Sequence, residues 1–286
     1  HGFTASWDEH PDRDEEWKKQ ELGRIGEERF RREYGCEFLV FDETLVNSMV
    51  LSTLEGIEPK LNMGQTRWYK KMDPQKTYVV ALDPAMGTGG DNAAIEVLEL
   101  PTFEQVAEWK HNTTPVPQQV RILKDICNHI KDETQSSGSN IYWSVENNTI
   151  GESALLVIND FGEDQIPGMF VSEPIRKGHI RKFRKGFNTT HKTKISACSR
   201  LKNMIEKGKL KIYSKPLISE LKAFVASGSS YKAKSGEHDD LVSAMLLAMR
   251  IIAVLKDWDP KVYTSFSQAD EDTADKVMPM PIFVSH

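Results

Sequence analysis

Tyr78-Val-Val-Ala-Leu-Asp83 is a short apolar, partly β-branched run that stops on a carboxylate. Lys71-Met72-Asp73-Pro74 precedes it, and Pro84 with Gly87, Gly89 and Gly90 follows. A run of this length between turn residues reads as a central strand, buried on both faces. Ala93 to Leu100 alternates, with Ile95 and Val97 set against Glu96 and Glu99, and suggests a half-exposed strand. Glu104 to Lys110 reads as a third strand after the Pro101-Thr102 turn. Three strands on short connections form an antiparallel meander.

Beyond the meander the period changes. Val120, Leu123, Cys127 and Ile130 recur at helical spacing from Pro117 to Lys131. Ile141-Tyr-Trp-Ser-Val-Glu146 is again a strand, Gly151 to Asp160 a helix, and Met169 to Ser172 a short fifth strand. A basic loop comes next, then a helix from about Lys192 to Lys207 that Gly208 ends. Leu210 to Tyr213 is a sixth strand or an edge addition, and helices near Leu217–Ala226 and Asp239–Asp257 complete the unit. This order predicts an α/β fold: a mixed central sheet, three antiparallel strands plus parallel ones, with helices on both faces.

The domain expected from this pattern spans residues 73–257. Residues 1–72 read as an extension or linker, because the charged helix over 12–35 has only a thin apolar stripe (Trp17, Leu22, Ile25, Phe30). Residues 258–286 carry Asp259, Asp270, Glu271, Asp272 and Asp275 and are expected to be an acidic, loosely ordered tail.

Composition excludes several classes. With 286 residues, 39% hydrophobic and 28% charged, the chain is neither disordered nor collagen-like. Cys36, Cys127 and Cys198 are too few and too scattered for a disulfide framework or a structural zinc site, and point to a reducing compartment. The longest apolar run, Leu241 to Leu255, is interrupted by Ser243 and Arg250 and is shorter than a membrane span needs. No signal pattern stands at the N-terminus, so neither secretion nor a membrane is expected. No segment reads G-x-x-x-x-G-K-[ST], so an ATPase motor is not assigned to these residues.

Net charge is −5, yet residues 174–257 hold 19 Lys and Arg against 6 Asp and Glu, while the remainder holds 18 against 36. Such asymmetry is a footprint for a polyanion. Arg176, Lys177, Arg181, Lys182, Arg184, Lys185, Lys192 and Lys194 are the candidate phosphate-binding residues. Aromatics are sparse among them, so tracking of a nucleic-acid backbone fits better than base readout.

The remaining signal lies in the acids. Asp83 ends the first strand of the meander, Glu146 ends the strand after the first helix, and Asp239-Asp240 open the apolar helix. Side by side and parallel, the two strands bring Asp83 and Glu146 together at their C-terminal ends. The helix is placed to add Asp239. Taken singly, each acid has a structural reading: an Asp after a strand starts a turn, and an Asp before an apolar run is an N-cap. Together they repel unless a cation lies between them, and oxygen donors suit Mg²⁺ or Mn²⁺, one ion or two.

Three segments carry a family resemblance. Val80-Ala-Leu-Asp83-Pro-Ala-Met-Gly-Thr-Gly-Gly-Asp91, Ser144-Val-Glu146-Asn-Asn-Thr-Ile-Gly151 and Gly236-Glu-His-Asp239-Asp240-Leu-Val together resemble the nuclease domain of the large terminase subunit of T-even-like tailed double-stranded DNA phages. His10 to Trp17 and Tyr34 to Leu39 resemble the end of that family's ATPase region. The resemblance implies an RNase H-like endonuclease that cuts concatemeric viral DNA during headful packaging in the host cytoplasm. It places the catalytic metal on Asp83, Glu146 and Asp239, with Asp91 and Asp240 as further acids and His238 as an orienting group. It also implies an upstream ATPase domain of the same natural protein, with portal and small terminase subunit as partners. Asn147 and Asn148 read as turn formers. The rival readings are a Holliday-junction resolvase or transposase of the same fold, and a non-catalytic module docking DNA or the portal. An actin-like ATPase would need a second copy of the fold.

Overall fold

The computed structural model describes residues 13–25, 43–177 and 180–258, the side chains of 25, 175–183 and 258 excepted. The chain divides into two units, His1–Glu43 and Thr44–His286. In the first, α1 (Glu15–Ile25) is a charged helix in which Asp14 accepts a bond from the backbone N–H of Trp17, 2.8 Å away. The continuation expected through Gly35, and the whole acidic tail beyond Trp258, lie outside the described residues.

The second unit opens with α2 (Ser48–Thr53), β1 (Leu61–Met63) and β2 (Thr66–Trp68). The meander is β3 (Thr77–Asp83), β4 (Ala93–Leu100) and β5 (Glu104–His111). Then come α3 (Val116–Glu133), β6 (Ile141–Val145), α4 (Thr149–Phe161) and β7 (Met169–Phe170). The chain continues through β8 (Glu173–Lys177), β9 (Ile180–Arg184), α5 (His191–Glu206) and α6 (Lys215–Ala223). It closes with β10 (Phe224–Ser227), β11 (Ser230–Ala233) and α7 (Asp240–Trp258). No described helix is long and apolar enough to cross a membrane.

Seven strands form one mixed sheet in the order β1-β2-β5-β4-β3-β6-β7. β3 runs antiparallel to β4 and parallel to β6, which is parallel to β7. Period-two alternation sends Tyr78, Val80 and Leu82 of β3 into one core, with Val120, Leu123, Cys127 and Ile130 of α3. Val79 and Ala81 face the other core, beneath Leu241, Val242, Met245 and Met249 of α7. Asp83 continues this second set, so its side chain leaves β3 on the α7 face.

Four expectations are corrected here. Residues 44–72 belong to the second unit rather than to a linker: Leu45, Val46 and Leu51 are buried in its core, and β2 pairs with β5. β4 is buried throughout rather than half-exposed, because strands flank it on both sides and helices cover its faces. Its acids find partners inside: Glu96 accepts from Gln105, and Glu99 from Lys70 and Tyr78. The helix expected over 217–226 stops at Ala223, where Phe224 turns extended and starts the β10–β11 hairpin. Of the sixth strand expected at 210–213, the structure forms one bridge, Glu104 to Lys211.

Candidate functional site

The parallel pairing of β3 with β6 sets Leu82 against Val145, and the N–H of Glu146 donates to the carbonyl of Leu82 at 3.0 Å. Asp83 and Glu146 therefore emerge side by side from adjacent strands. Burial first, then Glu146, Asp240 and Asp239, push the Asp83 carboxyl well above the usual carboxylate range. The structure brings together the three acids singled out from the sequence, and Asp240 with them.

Glu146 is held from several sides. Its Oε2 accepts from Asn148 Nδ2 at 3.2 Å. Asn148 is also the N-cap of α4, its Oδ1 accepting from the N–H groups of Ile150 and Gly151. Gly151 is required here: a Cβ would lie 1.8 Å from the carbonyl oxygen of Glu146. Beyond Glu146 the chain bridges to Phe187, just after the basic hairpin.

Asp239 and Asp240 lie at the start of α7. Asp239 Oδ2 accepts from the N–H of Ala233 at 3.2 Å, and Asp240 Oδ2 from Asn92 Nδ2 at 2.6 Å. Burial raises the Asp240 carboxyl, while the Asn92 bond and the charges of Lys110 and His238 oppose that rise. His238 Nδ1 is 3.6 Å from Asp240 Oδ2, so the imidazole faces that acid. Asp91 is exposed and, among the described residues, makes no hydrogen bond or ion pair; its neighbour Asn92 reaches the cluster instead.

Among the described residues no group of three His, Cys, Asp or Glu side chains closes on one point as a ready chelate. Glu146 bonds Asn148, Asp239 bonds Ala233 and Asp240 bonds Asn92. The donor set nonetheless fits a hard divalent cation: its groups are all carboxylate oxygens, and burial with the charges of Glu146, Asp240 and Asp239 makes Asp83 hard to ionise without one.

The basic stretch is an antiparallel hairpin, β8 against β9, rather than a loop. Arg176, Lys177, Arg181 and Lys182 lie on its strands, and their side chains are outside the described set. Arg184 and Lys185 are exposed at its base, where Lys185 pairs with Glu163 at 3.2 Å. Lys192 is exposed on the first turn of α5, and Lys194 Nζ lies 5.6 Å from the centre of the Phe224 ring.

Sequence reasoning missed Asn92, Lys110, Glu220 and Arg250. Glu220 and Arg250 left signals: an acid set among Leu217, Ile218 and Leu221 on the apolar side of its helix, and an arginine inside the apolar run Leu241 to Leu255.

Comparison with known proteins bears on the family and the fold. The family model for the terminase RNase H-like domain matches residues 80–250, more than half of the chain. The chain belongs to this family. The matched segment runs from β3 into α7 and so contains Asp83, Glu146, Asp239 and Asp240. Among solved structures, the large terminase nuclease of thermophilic phage G20c with bound magnesium is 18% identical, with a TM-score of 0.53 over 72% of this chain and 96% of that one. The same nuclease with bound cobalt gives 18% identity and a TM-score of 0.52, over 72% of this chain and 96% of that one. The large terminase nuclease domain of Thermus phage P74-26 is 20% identical, with a TM-score of 0.50 over 70% of this chain and 91% of that one. The fold of this terminase-family domain is RNase H-like.

Proposed function

We propose that this domain is a divalent-metal-dependent endonuclease that cleaves concatemeric viral double-stranded DNA during headful packaging, with little sequence preference. The observation that carries the reading is the placement of Asp83 and Glu146 side by side at the ends of adjacent parallel strands, with the charges of Asp239 and Asp240 near Asp83. The relatives solved with magnesium and cobalt support a divalent ion.

In this reading Asp83, Glu146 and Asp239 hold one or two Mg²⁺ or Mn²⁺ ions, with Asp240 and His238 behind them. The bound ion supplies Lewis-acid activation of water and neutralises charge developing on the phosphodiester. The chain's own residues do the rest. Asp83, whose carboxyl is raised by burial and by the neighbouring acids, would ionise to hold a cation. Asn148 keeps the Glu146 carboxylate aimed at Asp83, and Asn92 holds Asp240. The hairpin residues Arg176, Lys177, Arg181, Lys182, Arg184 and Lys185, with Lys192 and Lys194, hold DNA phosphates; the bridge from Phe187 to Glu146 keeps this basic surface beside the acids.

The segment before Thr44 is proposed as the lead-in from an upstream ATPase domain of the same protein, with portal and small terminase subunit as partners. The protein is virus-encoded and acts in the host cytoplasm. Its T-even-like placement rests on the three acidic motifs.

Replacing Asp83 with Asn tests the reading. Nicking of plasmid DNA in Mn²⁺ should vanish while the circular dichroism spectrum stays that of the parent. Nicking at the parent rate would overturn it.

A further inference from the structure

The first turn of α7 carries two of the clustered acids, and its own N–H groups need acceptors from outside the helix. Asp239 stands at the N-cap, where a carboxylate ordinarily takes the N–H groups of the second and third helical residues. Here Leu241 and Val242 give those N–H groups to another side chain. Oε2 of Glu220, on α6, accepts both at 2.8 and 3.1 Å, while the Asp239 carboxylate bonds Ala233. Glu220 is buried, and its Oε1 accepts from Lys110 Nζ at 2.7 Å. Lys110 lies on β5 in register with Ala94, which pairs in turn with Asp83, so the ion pair sits on the same sheet face as the acids.

We propose that Glu220, held by Lys110, is a positioning residue for the acid cluster. By capping α7 from a neighbouring helix it releases the carboxylates of Asp239 and Asp240 from capping and sets where they sit toward a divalent cation. This role rests on the metal-site reading above. Without Glu220 the nearest acceptor for the exposed N–H groups is Asp239 itself, and turning inward to cap would take it from the cluster.

The test is Mn²⁺ binding by calorimetry, with amide hydrogen exchange as a second readout. Glu220→Leu should weaken Mn²⁺ binding about tenfold, the loss typical when a group orienting a metal ligand is removed. The isosteric pair Glu220→Gln with Lys110→Met keeps an acceptor for Leu241 and Val242 and removes the cation facing the new amide. It should bind within about threefold of the parent, well inside that loss. In the parent, the Leu241 and Val242 amides should be protected. Parent-like Mn²⁺ affinity in a folded Glu220→Leu variant would overturn the proposal, as would a tenfold loss in the double variant. If Glu220→Leu does not fold, the double variant and amide protection decide: unprotected amides in the parent refute the cap. Asp83→Asn separates the two readings. If it binds Mn²⁺ as the parent does, both readings fall; if it loses binding while Glu220→Leu keeps it, only the positioning role falls.

Discussion

Arg250 of α7 and Glu173 of β8 meet at 2.5 Å, which ties the root of the basic hairpin to the helix whose first turn carries Asp240. The same guanidinium donates to the carbonyl of Asn188 and to Thr189 Oγ1, and lies over the Phe187 ring. The pair is largely buried, so removing one partner strands the other charge. Arg250→Met should cost roughly 3 kcal/mol of stability. Adding Glu173→Gln should recover part of that loss, and denaturant melts of the two variants and the double make the comparison.

The hairpin should contribute to DNA affinity as a set of charges. Replacing Arg181, Lys182, Arg184 and Lys185 with Ala should weaken binding to all sequences alike. The slope of log affinity against log salt should flatten by about 0.9 for each phosphate left without its cation. Fluorescence anisotropy across a salt series measures it; an unchanged slope would remove the hairpin from the DNA surface.

Asn148 has two jobs that one substitution can separate. Asn148→Asp keeps a good N-cap on α4, so stability should change by no more than about 0.5 kcal/mol. It replaces the amide that donates to Glu146 with a second carboxylate. Nicking activity should fall steeply while the melting temperature hardly moves; parent-like activity would show that the Asn148–Glu146 bond is dispensable.

Glu96 predicts a pH dependence of stability. Its carboxyl is pushed well above the usual range by burial and then by Glu108, its cross-strand partner, with Gln105 opposing. A raised carboxyl pKa means that the folded state holds the proton longer than the unfolded chain. The favourable contribution is full below the ordinary glutamate pKa of about 4.5 and is lost as pH rises through the folded value. Glu96→Gln cannot ionise, so its melting temperature should exceed that of the parent at pH 8, with a smaller gap at pH 5. A gap of equal size at both pH values would contradict this.

The parts of the fold legible in the sequence are those where one pattern admits one reading. Tyr78 to Leu82 is a continuous apolar run with turn residues on both sides, and its strand appears where expected. Asp83 and Glu146 could be paired from the sequence because parallel neighbours align their C-terminal ends. β1 and β2 could not be read: three residues each, with β1 exposed, is too short a window for a period to show. Glu96 and Glu99 mimicked an outward face, and only tertiary partners explain their burial. Phe224 and Val225 extend the spacing of Leu217 and Leu221, so the start of a hairpin passed for a helical turn. Glu220 stood out as an acid on an apolar helix side, but its capping role could not be read because the N–H groups it caps belong to a helix about twenty residues away in sequence.

Convergence of Asp83, Glu146 and Asp239 on a cation is the claim from which the chemistry follows. Anomalous diffraction from crystals soaked in Mn²⁺ tests it most directly. The account predicts one or two peaks among these three carboxylates, lost in Asp83→Asn crystals soaked alike. Manganese bound elsewhere, or no peak beside Asp83, would contradict it.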